Sequence, residues 1–293
     1  MPQTSSWHAW VLGARPRTLS AAIAPVIVGT ALAYRDGAAH PLAALAALFA
    51  SVCIQIGTNL ANDVYDFKKG ADTQRIGPTR VTTAGLLSPQ TVERGMWTIF
   101  GLAALAGLYL AWLGGWPIIA IGVASIAAGI AYTGGPFPLG YNGLGDLFVF
   151  IFFGLVAVVG TYYVQALTVT PVVWWAAVPI GALTTNIIVV NNIRDADTDR
   201  LVGKRTLAVL LGRRGARAEY LLLLAAAYVV PLGLWLLGGW SVWTLLPWVS
   251  LPLAWRMTRL VLTVLGPGLN RALGGTAQLL AVYAALFAVG MLL

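Results

Sequence analysis

The sequence predicts an all-α membrane protein with nine transmembrane helices in a single bundle. Of its 293 residues, 59% are hydrophobic and 10% are charged, whereas a soluble domain carries about 25% charged residues. Apolar stretches of about 20 residues, the length that a spanning helix needs, recur along the whole chain. The basic residues collect in alternate connections between these stretches, which is typical of multi-pass membrane proteins. A soluble helical protein is disfavoured because the chain lacks the charge to cover its surface.

Nine apolar segments are predicted to span the bilayer. They cover residues 19–35, 42–64, 91–112, 116–133, 145–165, 172–192, 219–238, 242–263 and 274–292. Short connections at Gly114–Trp116 and Gly238–Trp240 predict tight turns between antiparallel neighbours. The chain has no linker rich in Pro, Ser or Gly, so residues 1–293 are predicted to form one domain.

The distribution of Lys and Arg sets the predicted orientation in the membrane. Fifteen of the 18 basic residues fall in connections on one side, Arg35 alone falls on the other, and Arg256 and Arg259 lie near the first side. The positive-inside rule places the basic side in the cytoplasm. We therefore expect a multi-pass protein of the cytoplasmic membrane with its N-terminus inside and its C-terminus outside. This topology accounts for the net charge of +8, so no nucleic-acid partner is expected.

A first cluster of polar residues closes the second predicted span. It contains Asn59, Asn62, Asp63 and Asp66, and Asp72 follows in the next connection. On a helix, Asn62 lies one turn from Asp66, and Asn59 lies one turn from Asp63. Several oxygen-bearing side chains are therefore predicted to share one face of the helix end.

A second cluster closes the sixth predicted span. Asn191, Asp195 and Asp199 are spaced by four residues and line one helix face. Asn192 is three residues from Asp195 and can join that face. Asp197 lies off the face, and we expect it to be exposed to solvent.

Carboxylates near the end of a membrane helix are costly unless they face a polar cavity, a partner or an ion. Two such clusters facing each other repel, and bound divalent cations relieve the repulsion. Oxygen ligands of this kind suit Mg²⁺, which shares its remaining coordination positions with substrate phosphates. The two histidines, His8 and His40, lie outside the spans, so the pattern does not favour zinc. The alternative for any single Asp is a solvated helix end, but two matching clusters favour a metal site.

The connections beside the clusters carry further candidates. Arg75, Arg80 and Lys204 lie within a loop's reach of the clusters and can bind phosphate oxygens, although membrane topology explains each charge equally well. Residues 131–146 are too rich in Gly and Pro to continue a helix. This fourth connection either lines the site or is an ordinary loop, and Tyr132 and Asp146 are its residues best suited to hydrogen bonding or proton chemistry.

Three stretches of the sequence resemble the UbiA superfamily of intramembrane prenyltransferases: Asn59–Arg80, Tyr132–Gly145 and Asn191–Leu207. The similarity extends over essentially the whole chain. The Asp clusters are typical of the superfamily, and the runs at 75–80 and 203–207 are typical of the branch that prenylates 1,4-dihydroxy-2-naphthoate. Many members carry a third acidic residue four positions after the equivalent of Asp66, where this chain has Gly70; the next acid is Asp72.

The resemblance implies a nine-helix UbiA-like fold and a Mg²⁺-dependent reaction. A polyprenyl group passes from an all-trans polyprenyl diphosphate to 1,4-dihydroxy-2-naphthoate, with loss of CO₂ and diphosphate, giving demethylmenaquinone for menaquinone biosynthesis. The implied metal ligands are Asn62, Asp63, Asp66, Asp72, Asn191, Asn192, Asp195 and Asp199. The implied diphosphate-binding residues are Arg75, Arg80, Arg194, Lys204 and Arg205. Catalytic roles are implied for Asp66, Asp195, Lys204 and Tyr132.

Two alternatives stay open from sequence. One is a related enzyme with another acceptor, such as 4-hydroxybenzoate or homogentisate. The other is a transporter, but intramembrane carboxylates of transporters lie near the bilayer midplane, whereas these clusters lie at helix ends beside basic loops. The sequence leaves the oligomeric state and the length of the prenyl chain open.

Overall fold

The computed structural model describes residues 6–71 and 77–293, and all regular structure within these ranges is helical. Asp72 and Arg75 lie outside the described residues. The helices are α1 (Ser6–Ala14), α2 (Ser20–Arg35), α3 (Pro41–Lys68), α4 (Pro89–Gly114), α5 (Trp116–Ala131), α6 (Gly145–Ala166), α7 (Pro171–Leu201), α8 (Gly212–Leu236), α9 (Leu251–Thr263) and α10 (Leu269–Leu292). A one-turn helix, Leu207–Leu210, precedes α8, and a 3₁₀ stretch, Val242–Ser250, precedes α9. Within α6, Phe150–Val156 is π-helical.

All nine predicted segments are helical, but they differ in length. In the described part of the chain, six helices are long and apolar enough to cross a membrane singly: α3, α4, α6, α7, α8 and α10. The stretch from α1 to α2 gives a seventh candidate, bent by 51°. Helix α5 has 16 residues, and the eighth segment changes from 3₁₀ to α-helix. The chain is therefore an all-α, multi-pass membrane protein, and the count of nine crossings stays a prediction.

The starts of the long helices follow from local sequence. Proline occupies the first turn of α3, α4, α5 and α7, where its missing N–H would have had no partner within the helix. His40 caps α3 because its Nδ1 accepts the N–H of Ala43 at 3.2 Å, and the hydroxyl of Ser88 accepts the N–H of Thr91 at the start of α4. Gly115, at φ 72°, forms the predicted turn between α4 and α5.

The bend before α2 is set by a single unusual residue. Arg15 adopts the left-handed conformation, with φ 53° and ψ 68°, which is uncommon for a residue other than glycine. Pro16 follows and cannot continue the helix of α1, since it has no N–H to donate. The chain therefore turns at Arg15, and this places Arg15 on the wall of the cavity described below.

The packing brings the two ends of the chain together. Helix α3 packs against α4, α7 against α8, and α10 against α2, so the last helix closes the bundle on the first. The largest cluster of buried apolar side chains joins α2, α6, α7, α8 and α10. Trp112, Trp116 and Trp255 are largely exposed on the outside of the bundle, as expected where aromatic side chains meet lipid and its interface.

Both polar clusters remain helical to their ends. Helix α3 extends to Lys68 and α7 to Leu201, beyond the apolar segments predicted to end at 64 and 192. Their side chains therefore keep the spacing of one helix face. The extension of α3 and α7 carries the polar residues beyond the apolar part of each helix. Both sets of polar residues then lie at one shared site.

Candidate active site

A cavity of about 430 Å³ lies where the C-terminal ends of α3 and α7 meet. Helix α3 contributes Asn62 and Asp66 to its wall, and α7 contributes four residues of the second cluster: Asn191, Asn192, Asp195 and Asp199. The structure thus brings together six of the eight residues predicted as metal ligands. Of the other two, Asp72 lies outside the described residues and Asp63 faces elsewhere.

Asp66 is the point where three separate segments converge. Its side chain is 1% exposed. It accepts a hydrogen bond from Arg80 Nη2 at 2.6 Å and one from the Tyr141 hydroxyl at 2.8 Å. Lys204 Nζ lies 3.5 Å away. Arg80 and Lys204 were predicted from sequence to lie near this cluster, and Tyr141 was not. Charge-assisted hydrogen bonds of this kind are strong, so Asp66 ties the end of α3 to the segments that carry Arg80 and Tyr141, with Lys204 close by.

The Asp63 carboxylate lies against the backbone that follows Arg80. Its carboxylate accepts the backbone N–H groups of Val81 and Thr82 at 3.0 and 3.1 Å, and the Thr82 hydroxyl also donates to it. It does not line the cavity. These three donors occupy the carboxylate, so Asp63 fixes the segment that begins at Arg80. The structure therefore supports a positioning role for Asp63 in place of metal ligation.

The Arg194 guanidinium lies among side chains of α7 and α10. Its side chain is fully buried and does not line the cavity. It binds Asp195 through two hydrogen bonds, of 2.7 Å from Nε and 2.6 Å from Nη2, and donates at 2.8 Å to Asn191 and to Asn270. Arg194 therefore holds two cavity residues of α7 in place and links them to α10, but it does not face a diphosphate.

Asn192 is oriented by a buried carboxylate outside the cavity wall. Its Nδ2 lies 3.3 and 3.4 Å from the two carboxylate oxygens of Asp146, which is 3% exposed. Because the amide nitrogen is directed at Asp146, the amide oxygen is left for the cavity. In the same cluster, the side chain of Asp197 is 71% exposed and pairs with Arg213, so its predicted exposure is confirmed.

The fourth connection lines the site. Tyr132, Thr133, Gly140 and Tyr141 all contribute to the cavity wall, and the Thr133 hydroxyl donates to Asn62 Oδ1 at 2.9 Å. A Cβ on Gly140 would lie 3.0 Å from the ring of Tyr132. A side chain at this position would require the Tyr132 ring to move by a few tenths of an ångström, so glycine suits the close approach.

Lys204 and Arg205, two basic residues after α7, differ in where their side chains lie. Lys204 lines the cavity, with its Nζ 4.6 Å from the centre of the Tyr141 ring. The side chain of Arg205 is exposed and does not line the cavity; its backbone N–H donates to the Tyr141 carbonyl at 2.9 Å. This backbone contact holds the fourth connection, and the predicted diphosphate contact of the Arg205 side chain stays a prediction.

Another part of the cavity is lined by Asn59, which belongs to the first predicted cluster, and by three polar residues that the sequence interpretation did not assign to the site: Arg15, Thr18 and Gln55. Thr18 Oγ1 accepts from Gln55 and from Asn59, each at 3.3 Å. Asn59 also donates to the carbonyl of Ala14 at 3.0 Å. For Arg15 and Thr18, the nearby signal in the sequence is an Arg-Pro pair at a helix break, which by itself does not indicate a site.

A second cavity, of about 300 Å³, is lined almost wholly by apolar residues of α3 to α6. It shares Thr58, Tyr132, Val149 and Phe153 with the first cavity, so the two are adjacent. Tyr132 and Phe153 therefore lie at the junction between a polar chamber and an apolar one. An elongated molecule with a charged head and an apolar tail fits this pair of cavities.

The donors in the polar chamber suit a divalent cation that shares its ligands with a phosphate. Carboxylate and amide oxygens are the groups that Mg²⁺ prefers. Within residues 6–71 and 77–293, no three Asp, Glu, His or Cys side chains are close enough together to hold a metal ion. The donor set thus does not form a closed site built from protein alone, and it fits ions that complete their coordination with substrate oxygens and water.

Carboxylates, amides and cations around one chamber, with an apolar chamber beside it, define a membrane-embedded enzyme that acts on an isoprenoid diphosphate. Residues 22–266 match the UbiA prenyltransferase family. The chain belongs to this family.

Relatives support the same grouping. A 1,4-dihydroxy-2-naphthoate octaprenyltransferase of Mycobacterium tuberculosis is 47% identical over 252 residues, covering 86% of this chain and 85% of the relative. The Escherichia coli protein of the same name is 39% identical, covering 90% and 88%. A UbiA homolog from Archaeoglobus fulgidus, solved with DMAPP and Mg²⁺, shares the fold at a TM-score of 0.62 and 14% identity, over 96% of this chain and 99% of the homolog.

Proposed function

We propose that the protein transfers a polyprenyl group from an all-trans polyprenyl diphosphate to 1,4-dihydroxy-2-naphthoate, with loss of CO₂ and diphosphate. The product is the quinol form of demethylmenaquinone, an intermediate of menaquinone biosynthesis, because the transfer itself oxidises nothing. The observation that carries the proposal is the single chamber in which Asp66 of α3 and Asp195 of α7 meet, next to an apolar chamber. The names of the two bacterial relatives support the choice of acceptor.

The diphosphate is assigned to the polar chamber. Mg²⁺, when bound by oxygens of Asn62, Asp66, Asn191, Asn192, Asp195 and Asp199 and by the substrate, neutralises diphosphate charge and favours its departure. Arg80 and Lys204 contribute positive charge where the leaving group gains negative charge, which lowers the barrier. Asp72 and Arg75 stay predicted contributors, because they lie outside the described residues.

The prenyl chain is assigned to the apolar chamber, with its reacting carbon at the junction. Tyr132 and Phe153 line both chambers, so their rings lie beside the allylic cation as the bond between carbon and diphosphate oxygen breaks. An aromatic face attracts a cation. The surrounding apolar side chains exclude water, which would otherwise capture the cation.

The acceptor completes the reaction. A carbon of the electron-rich naphthoate ring attacks the allylic carbon, the new carbon–carbon bond forms, and the departing diphosphate keeps the electron pair of the broken bond. The attacked ring carbon then loses its proton, the carboxylate leaves as CO₂, and the ring carbon that carried it keeps the electron pair and takes up one proton, which gives an aromatic naphthoquinol. Arg15, Thr18 and Gln55 on the chamber wall offer charge and hydrogen bonds that suit the carboxylate and hydroxyl groups of this acceptor.

The proposal also includes the orientation of the protein in the membrane. The asymmetry of basic residues supports a cytoplasmic-membrane protein with the N-terminus and the polar chamber facing the cytoplasm and the C-terminus outside. Residues 1–293 are proposed to act as one prenyltransferase domain.

A prenyl-transfer assay tests the proposal. Membranes containing the protein receive Mg²⁺, a polyprenyl diphosphate and 1,4-dihydroxy-2-naphthoate, and a parallel reaction contains 4-hydroxybenzoate instead. We expect a prenylated, decarboxylated naphthoquinol in the first reaction and no prenylated product in the second. Product only with 4-hydroxybenzoate would keep the enzyme class and change the acceptor. Solute movement into liposomes without consumption of prenyl diphosphate would support a transporter instead.

A further inference from the structure

We infer that Lys69, the residue immediately after α3, binds the diphosphate of the donor together with Lys204. The inference rests on the proposed function and adds a residue that the sequence interpretation did not assign to the site. The inference is based on the ammonium groups of Lys69 and Lys204. Both lie near the ring of Tyr141 at the rim of the polar chamber.

The contacts of Lys69 all belong to the wall of the chamber. Its Nζ donates to the Thr133 carbonyl at 2.6 Å and lies 4.7 Å from the centre of the Tyr141 ring. Lys204 Nζ lies 4.6 Å from the centre of the same ring. Thr133, Tyr141 and Lys204 line the polar chamber. Lys69 is exposed at its rim, where an incoming headgroup can reach it.

Among the described residues near the Tyr141 ring, positive charges outnumber negative charges. Arg80 and Lys204 are both paired with one carboxylate, Asp66. Among the described residues, Lys69 has no carboxylate within ion-pair distance; its partners are a carbonyl oxygen and an aromatic ring. Both ammonium groups lie close to the centre of the Tyr141 ring, at 4.7 and 4.6 Å, and each acts on the charge of the other. A multiply charged anion bound near both offsets the repulsion between them, and phosphate oxygens are strong acceptors for both.

The electrostatic environment of Lys69 agrees with this geometry. Partial burial lowers the pKa of the Lys69 ammonium, the Asp66 carboxylate opposes that shift, and the Lys204 ammonium adds to it. A group whose charged form is disfavoured in this way gains when an anion binds beside it. Lys69 is thus suited to bind an anionic ligand, since among the described residues no carboxylate pairs with it.

The neighbouring lysine gives a matched control. Lys68 extends away from the chamber to Glu93, with 2.8 Å between Nζ and the carboxylate oxygen, and both side chains are partly exposed. Exposed pairs of this kind contribute little to stability. Lys68 and Lys69 therefore carry the same charge on consecutive residues, but only Lys69 faces the fourth connection.

The test compares Lys69→Met with Lys68→Met in purified protein. The binding of inorganic diphosphate in the presence of Mg²⁺ is measured by calorimetry, and the KM for the polyprenyl diphosphate and kcat are measured by prenyl transfer. We expect Lys69→Met to weaken diphosphate binding and raise KM by about 10- to 100-fold with a smaller change in kcat. Lys68→Met should stay within about twofold of the unmodified protein for both quantities. Lys69→Arg, which keeps the charge, should recover most of the affinity.

A structural role for Lys69 gives a different result. If Lys69 only fastened the Thr133 carbonyl, Lys69→Met would lower kcat or the unfolding temperature and leave diphosphate affinity unchanged, and the inference would be wrong. Diphosphate binding that is Lys69-dependent without any prenyl transfer would overturn the proposed function and keep this inference. If the unmodified protein did not bind diphosphate, the proposed function and the inference about Lys69 would both be wrong.

Discussion

The hydroxyl of Tyr141 donates a 2.8 Å hydrogen bond to the carboxylate of Asp66. This bond joins the fourth connection to the first polar cluster. The carbonyl of the same tyrosine accepts the backbone N–H of Arg205 at 2.9 Å, which joins the connection to the segment after α7. Tyr141 therefore contacts both halves of the polar chamber and fixes the position of the carboxylate on which Arg80 and Lys204 converge.

The first prediction concerns the two functions of Tyr141. Tyr141→Phe removes the hydrogen bond to Asp66 and keeps the ring that Lys69 and Lys204 contact. Because a hydrogen bond to a charged group contributes about 1.5–3 kcal/mol, we expect kcat to fall by about tenfold or more. Diphosphate affinity should change little. Prenyl-transfer kinetics and calorimetric binding of Mg²⁺ with diphosphate measure the two quantities separately.

Tyr141→Leu provides the comparison, since it removes both the hydroxyl and the ring. We expect it to reduce kcat and diphosphate affinity together. Equal kinetics for Tyr141→Phe and the unmodified protein would show that the bond to Asp66 does not contribute to turnover.

The second prediction concerns the carboxylates of the chamber. Asp66→Asn and Asp195→Asn keep the size of each side chain and an acceptor oxygen but remove a negative charge that a divalent cation needs. We expect kcat to fall by about 10²- to 10³-fold or more in each variant. Circular dichroism should show unchanged helix content.

Asp197→Asn is the matched control for these variants. Asp197 lies in the same cluster as Asp195, but its side chain is 71% exposed and its partner is the surface residue Arg213. Its substitution should leave kcat within about twofold, as for other exposed pairs. Full activity in Asp66→Asn or Asp195→Asn would remove that residue from the proposed metal site.

The third prediction separates Asp63 from Asp66. Asp63→Asn weakens the acceptor for the N–H groups of Val81 and Thr82, so the segment carrying Arg80 loses its anchor. We expect a decrease in the free energy of unfolding of about 1–3 kcal/mol, measured as a lower unfolding temperature. The Mg²⁺ concentration for half-maximal activity should stay unchanged. A raised Mg²⁺ requirement with normal stability would restore the sequence prediction that Asp63 is a metal ligand.

The difference between Asp63 and Asp66 also shows which features of the site can be predicted from the sequence. Hydropathy and helical spacing predicted the helices and both polar clusters, because a long apolar run has few other structures in a membrane. The spacing of three residues between the two carboxylates is compatible with a shared face. It does not show that Asp63 meets the backbone of Val81 instead, since that contact depends on where the following loop folds.

Arg194 and Tyr141 show two further reasons why the sequence did not predict the partners of every side chain in the site. The guanidinium of Arg194 turns back onto Asp195, its neighbour in sequence, and this depends on its side-chain conformation within the packed bundle. Tyr141 lies in a connection rich in Gly and Pro, where no periodic pattern indicates which side chains point inward. The sequence therefore predicted the location of the site, and the partners of individual side chains required the structure.

The fourth prediction concerns the metal. Among the residues that the structure describes, no three acidic, His or Cys side chains are placed to hold an ion by themselves, so we expect the substrate to supply part of the coordination. Mg²⁺ and diphosphate should therefore stabilise the protein together much more than either does alone. We expect a large rise in unfolding temperature only when both are present, because a ligand stabilises the state it binds.

Removal of the metal gives the matching kinetic result. Excess chelator should abolish prenyl transfer, and added Mg²⁺ should restore it. In Asp195→Asn the combined effect of Mg²⁺ and diphosphate on the unfolding temperature should largely disappear, whereas Asp197→Asn should retain it. Turnover that persists in excess chelator would contradict the metal assignment. An equal temperature rise with Mg²⁺ alone would instead indicate a site completed by protein ligands, for which Asp72 would be the first residue to test, because it was predicted as a ligand and lies outside the described residues.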